Sequence, residues 1–166
     1  NGLYIIDIKE LKINKEKQET INNNLKSKRI QKILLDSKQR LWISYADGGL
    51  NVCDAVSGLI LNVIENKIPK TETIFSYIEE DPISGNIIFS TFDQGLFVYE
   101  EKSRTFRAFK DKRLMNYPIL TLLYGELPYI NKERTMIIGT DNYGFKLVDL
   151  DSEKLIDIPL SKARHH

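Results

Sequence analysis

The hydrophobic positions of this chain come in short runs of five or six residues that recur along its length. Ile30 to Leu35, Ile74 to Ile78 and Ile119 to Tyr124 are apolar or half-apolar, and each is followed by turn residues, as in Asp36-Ser37-Lys38-Gln39 and Asp81-Pro82-Ile83-Ser84-Gly85. A second run follows in each case (Leu41 to Tyr45, Ile87 to Phe92, Met136 to Thr140), then a tight loop, then a third (Leu50 to Asp54, Leu96 to Glu100, Phe145 to Asp149). A weaker fourth run closes each unit at Ile60 to Ile64, Phe106 to Phe109 and Leu155 to Ile158. Runs of this length, bounded by turn chemistry, predict strands joined as antiparallel meanders. Only Lys9 to Lys28 offers room for a helix. Its apolar residues Leu11, Ile13, Ile21 and Leu25 keep poor helical period and Asn22-Asn23-Asn24 is a loop signature, so it is read as a polar outer strand with a long connection.

Laid over itself, the chain repeats. Arg40-Leu-Trp-Ile-Ser-Tyr-Ala-Asp-Gly-Gly-Leu50 matches Asn86-Ile-Ile-Phe-Ser-Thr-Phe-Asp-Gln-Gly-Leu96 and then Thr135-Met-Ile-Ile-Gly-Thr-Asp-Asn-Tyr-Gly-Phe145, which sets Gly49, Gly95 and Gly144 at intervals of 46 and 49 residues. Gly2 to Asp7 aligns with Gly49 to Asp54, 47 residues on, as a truncated fourth copy. The glycine closing each tight loop suits a hairpin whose last loop residue is left-handed, where a Cβ would clash. The acid ending each third run precedes Ser57, Ser103 or Ser152 by three residues, a spacing for side-chain capping of a turn. A strand-bearing period in the forties predicts an all-β fold: a β-propeller fragment of about three and a half four-stranded antiparallel blades. Residues 1–28 form the outer strands of a truncated blade, 29–72, 73–116 and 117–160 are whole blades, and 161–166 is a tail in which His165 and His166 are read as a tag remnant. Leu41-Trp42-Ile43 and Ile87-Ile88-Phe89 are apolar at successive positions, as strands packed on both faces require. An incomplete ring would leave apolar faces open, to be covered by other propeller blades or by a second copy of the chain.

The string Ile30, Ile33, Asp36, Arg40-Leu41-Trp42-Ile43-Ser44, Gly48-Gly49-Leu50-Asn51 resembles the two-component regulator propeller repeat, Ile-x-x-Ile-x-x-Asp-x-x-Gly-x-Leu-Trp-Ile-Gly-Thr followed by Gly-Gly-Leu-Asn. The second copy has Ile88 in place of Trp. The third keeps Ile138-Gly139-Thr140 and Gly144 but carries a long connection from Gly125 to Arg134. This resemblance implies a periplasmic sensor segment of a bacterial hybrid two-component system, of the kind that detects breakdown products of complex polysaccharides. In such a protein the membrane helix and the histidine kinase lie beyond the propellers, so this segment is not itself an enzyme.

Composition adds exclusions. Lys plus Arg number 24 against 23 Asp plus Glu, leaving no positive excess for a nucleic-acid backbone. The longest nearly apolar stretch, Pro118 to Tyr124, is far below the ~20 residues of a spanning helix, so no membrane contact is expected from this segment. No basic n-region with an apolar h-region opens the chain, so either it is cytosolic or an export signal lies outside it. A lone Cys53 inside an apolar run excludes an internal disulfide and reads as a buried, inert thiol. With imidazoles only at His165 and His166, Ser-His-Asp and Cys-His systems are absent, and no metal or cofactor motif is visible. Glu79-Glu80-Asp81 is read as an exposed turn and not as a glycosidase pair.

Binding chemistry is therefore sought in the loops. Tyr45, Asp47, Phe92, Asp93, Asp141, Asn142 and Tyr143 place aromatics beside acids and amides, a set suited to an oligosaccharide: rings stack on pyranose faces while carboxylates and amides take hydroxyls. The same residues also suit ordinary turns. The basic run Lys26, Lys28, Arg29 and Lys32 is either a face for an acidic glycan or a solvated surface. The alternative function is a protein-interaction or dimerisation scaffold that binds no small molecule.

Overall fold

In the computed structural model, which describes residues 2–64, 72–125 and 134–157, the first three apolar runs of each repeat become strands with little shift of their ends. The elements are β1 (Ile6–Asp7), β2 (Lys12–Ile13), α1 (Lys15–Asn24), β3 (Ile30–Leu35), β4 (Arg40–Tyr45), β5 (Leu50–Asp54), β6 (Phe75–Glu80), β7 (Ile87–Thr91), β8 (Leu96–Glu100), β9 (Thr105–Ala108), β10 (Ile119–Tyr124), β11 (Thr135–Thr140), β12 (Phe145–Asp149) and β13 (Lys154–Ile156). Among the described residues they form four antiparallel sheets in sequential order: the ribbon β1-β2, the three-stranded β3-β4-β5, and the four-stranded β6-β7-β8-β9 and β10-β11-β12-β13.

The three larger sheets share their irregularities as well as their order. In each first strand the pairing register slips at the second residue, between Ile30 and Lys32, Phe75 and Tyr77, and Ile119 and Thr121. A bulge there bends the strand and increases its twist. Each hairpin closes alike: the amide of Tyr45 donates to the Gly49 carbonyl (3.4 Å), Thr91 to Gly95 (3.0 Å) and Thr140 to Gly144 (2.9 Å). Those glycines have φ of +89°, +75° and +66°, so the left-handed position inferred from the repeat is real. The terminal acids cap as their spacing suggested. Asp54 Oδ1 accepts from Ser57 N at 2.6 Å, Glu100 Oε2 from Ser103 Oγ at 2.9 Å and Asp149 Oδ1 from Ser152 N at 3.3 Å.

Glycine at Gly48 answers a second constraint, the approach of the following connection. A Cβ there would lie 2.6 to 2.8 Å from the backbone of Glu72, and φ is +85°. At Gly144 φ is +66° but the space around a Cβ is empty. Gly144→Ala is expected to cost about 1 kcal/mol for the left-handed backbone alone, and Gly48→Ala about 3 kcal/mol or more because main chain must also move. Equal urea midpoints for the two variants would disprove the close-approach account.

The second sheet is buried on both faces, and every residue of β7 is buried. Ile87, Phe89, Phe97 and Phe106 pack against Trp42 and Val52 of the first sheet, while Ile88, Leu96 and Val98 pack against Ile119, Met136, Ile138 and Val148 of the third. The first strands β3, β6 and β10 lie side by side, β6 in contact with both others. Hydroxyls tie the sheets at this edge: Ser44 Oγ donates to the Phe75 carbonyl (3.0 Å) and Ser76 Oγ to the Ile119 carbonyl (2.6 Å).

Three expectations need correction. Residues Lys15–Asn24, within the stretch read as strand and loop, form α1. Asn14 caps it, accepting from Lys17 N at 3.1 Å, and Ile21 buries itself against Gly58. Asn22, read as a loop signal, exchanges two 2.9 Å hydrogen bonds with the backbone of Leu3, so the helix is held by a tertiary contact that propensity cannot register. The fourth strand read at Ile60 to Ile64 is reduced to one bridge between Ile60 and Cys53. Glu79 and Glu80 belong to β6, and Asp81 is buried at 1% exposure beneath Ser84 and Arg134. The expected end of the last strand at Ile158, most of the connection from Gly125 to Arg134, and the tail 161–166 lie outside the described residues.

Candidate functional site

The loop residues singled out from sequence are treated differently by the fold. Tyr45 is the last paired residue of β4 and is wholly buried; its hydroxyl donates to Asn51 Oδ1 at 2.6 Å, and burial pushes its phenol well above the usual range. Its ring is a core group with no surface to offer a ligand. Asp47 is exposed but accepts from Ser27 Oγ at 2.8 Å. Phe92 and Asp93 are exposed on the second hairpin, and Asp141, Asn142 and Tyr143 on the third, with Asn142 itself at φ +65°. The basic run is partly spent inside the protein: Lys26 Nζ donates to the Gly48 carbonyl (2.8 Å), and Lys32 Nζ sits 3.6 Å from the Tyr77 ring centre. Cys53 is buried, and burial pushes its thiol up, as expected of an inert cysteine.

Of the seven candidates, Tyr143 lines a cavity of about 510 Å³ between the third hairpin and the connection that precedes β10. That connection begins with a short 3₁₀ turn, Lys112–Asn116. Asp111 caps the turn, accepting from Arg113 N at 3.0 Å, and also accepts from Leu155 N of β13 at 3.0 Å, which draws the turn to the edge of the third sheet. Tyr117 and Pro118 then lead into β10, with the Pro118 carbonyl accepting from Asp141 N at 2.9 Å. In this way Tyr117 meets Tyr143 edge to face, with ring centres 5.5 Å apart. Gly144, Phe145 and Lys146 form one wall, and Leu155, Ile156, Asp157 and Arg113 the other.

The electrostatics are mixed. The Arg113 guanidinium donates to Asp111 (Nη2 to Oδ2, 2.7 Å) and to Asp157 (3.2 Å). The bonds from Arg113 hold the Asp111 carboxyl down at about 2, and Asp111 in turn raises Arg113. Lys146 Nζ lies 5.5 Å from the Tyr117 ring centre. The cavity thus combines exposed aromatic surface with fixed donors and acceptors. Among the described residues no group of three or more His, Cys, Asp or Glu could hold a metal. Sequence reasoning missed Arg113, Tyr117 and Lys146. The signals present were the dipeptide Tyr117-Pro118 and the charge run Lys110 to Arg113, neither of which says which sheet edge it will face.

An all-β chain of repeated antiparallel meanders is the class that this architecture defines. Its fold is similar to the extracellular domain of a hybrid two-component system of B. thetaiotaomicron, with TM-score 0.62 and 19% identity over 95% of this chain and 19% of that one. A second such domain from the same organism gives TM-score 0.66 and 20% identity over 95% of this chain and 20% of that one. The computationally designed protein Ika8 gives TM-score 0.54 and 14% identity over 77% and 35% of the two chains. The chain therefore spans about a fifth of the length of the extracellular domains it is similar to. No family model matches the chain, and no curated protein does. No helix among the described residues is long and apolar enough to cross a membrane.

Proposed function

We propose that this chain is a segment of a β-propeller in the extracytoplasmic, periplasmic sensor of a two-component system, and that it contributes to binding an oligosaccharide. One observation carries this reading. A thrice-repeated meander, with its first strands side by side, follows the fold of two extracellular domains of hybrid two-component systems over nearly the whole chain. The resemblance of the Trp42 copy to the two-component regulator propeller repeat supports it. Tyr143 and Tyr117 supply the stacking surface, and Asp157 a polar acceptor beside it. The segment binds and does not catalyse, and signal output belongs to parts of the parent protein beyond it.

Isothermal titration of the protein against a panel of oligosaccharides tests the reading. At least one should bind, and Tyr143→Ala should weaken it by about ten- to a hundredfold, the worth of one aromatic stack. A panel without heat, or a Tyr143→Ala variant that binds as the parent does, would remove the sugar from this cavity.

A scaffold role is the second reading, favoured by the apolar ends of the sheet stack. Ile33 and Leu35 are exposed on the first sheet, and Leu123 on the third. Further blades of the same propeller or a second copy of the chain cover these faces. Capture of a protein partner, with no response to any sugar, is the outcome that favours this reading over the first.

A further inference from the structure

We infer that the cavity at the third hairpin selects a saccharide bearing a negative charge, a carboxylate or a sulfate, and that Lys146 reads that charge; the inference rests on the oligosaccharide reading above. Two cations line the cavity, and they differ in what they have left to give. Arg113 is spoken for: its guanidinium donates to both oxygens of Asp111 (2.7 to 3.1 Å), to Asp157 (3.2 and 3.4 Å) and to the Leu155 carbonyl (3.4 Å). Its charge is answered by two carboxylates, and it serves as a fixed wall. Lys146 stands on the opposite wall, half-buried on β12, and no carboxylate of a described residue lies within ion-pair distance of it. The group it approaches is the face of Tyr117, at 5.5 Å, a weak partner that an anion would outbid.

The surroundings fit a sugar that carries the anion. Tyr117 is pinned edge to face by Tyr143, whose own ring is 55% exposed, and Phe145 beside it is 61% exposed. A pyranose lying on these rings would put a substituent toward the ammonium at the Tyr117 end. A neutral sugar could stack equally well but would leave Lys146 with the tyrosine face alone. A free inorganic anion would meet the ammonium and gain nothing from the two exposed rings. Charge on a stacking ligand is thus what this wall can discriminate.

The test is a matched set of trisaccharides titrated into the protein: neutral, uronate-bearing and sulfate-bearing forms of the same backbone, with Lys146→Gln and Lys146→Arg alongside. The acidic forms should bind about tenfold more tightly than the neutral one, the worth of one charge-assisted hydrogen bond at a half-exposed site. Lys146→Gln should erase that difference by bringing the acidic forms down to the level of the neutral one, and Lys146→Arg should restore it. The uronate and sulfate arms tell which anion the wall prefers. Neutral forms binding as tightly as acidic ones would overturn the charge inference and leave the saccharide reading standing. A charge preference that survives Lys146→Gln would overturn the role of Lys146. Absence of binding by every form would overturn both, and unchanged thermal unfolding of the variants separates each result from misfolding.

Discussion

Replacing Trp42 by alanine is expected to destabilise the protein by about 3 to 5 kcal/mol, the largest effect of any single truncation in the core. The indole is fully buried between the first and second sheets, with ring centres 5.6 Å from Phe89 and 5.0 Å from Tyr99. Phe89 in turn packs on Phe75 and Phe106, so the void opens onto a cluster of rings that cannot collapse without leaving their own contacts. The indole N–H also donates to Asp36 Oδ2 at 2.8 Å. Trp42→Phe keeps most of the volume but loses that bond, and should cost about half as much. Because Trp42 is the chain's single tryptophan, the measurement is urea unfolding followed by circular dichroism in place of fluorescence. A loss below about 1 kcal/mol for Trp42→Ala would mean that the two sheets are not held at this point.

Asp36→Ala is expected to cost a similar amount, about 3 to 5 kcal/mol, for an electrostatic reason. The carboxylate is 2% exposed and accepts from four donors: Lys38 N (2.9 Å), Arg40 N (2.8 Å), Arg40 Nε (2.6 Å) and the Trp42 indole. Burial alone would raise its pKa, but the bonds from Trp42 and Arg40 and the guanidinium charge outweigh burial and hold it below the ordinary carboxylate range. Removing it leaves Arg40, 8% exposed, with Glu101 as its remaining carboxylate at 2.7 Å, and leaves the indole N–H and two turn amides unanswered. Its folded pKa is depressed, so the stability it supplies is present above pH 4 and is lost as pH falls through the folded value. Urea midpoints of parent and Asp36→Ala should therefore converge in strong acid. Combining Asp36→Ala with Trp42→Ala should cost less than the sum, since the two share a hydrogen bond. Full additivity would show that the pair is not coupled.

This pair also accounts for the acid six residues before the tryptophan in the first copy. In the second copy the acid remains as Asp81 but the tryptophan is Ile88, and Asp81 turns to Ser84 and to Arg134 of the third sheet. In the third copy the corresponding residue is Gly125, so the ionic tie at that junction is made from the other side. A motif that appears degraded in one-dimensional comparison is thus a changed set of partners across a sheet boundary.

Much of the architecture was legible because it rests on local rules. A left-handed residue at the end of a hairpin demands glycine, a turn after a strand rewards an acid with a serine three residues on, and a strand buried on two faces must be apolar at consecutive positions. Gly49, Gly95, Gly144, Asp54 and β7 could be read for these reasons. The candidate site was barely legible. Tyr143 was found because it sits in a repeated loop, and Tyr45 was misplaced because the loop begins one residue later than the aromatic suggested.

What the sequence by itself determined is the list of meanders, their glycine turns and their period, since each depends on neighbours a few residues away. Only the tertiary structure decided that Lys15–Asn24 is helical, through Asn22 on the backbone of Leu3 and Ile21 on Gly58. It alone also decided that Arg113, Tyr117, Tyr143 and Lys146 share one cavity. Those contacts join residues that are distant in the chain, and their energy exists only once the sheets have stacked.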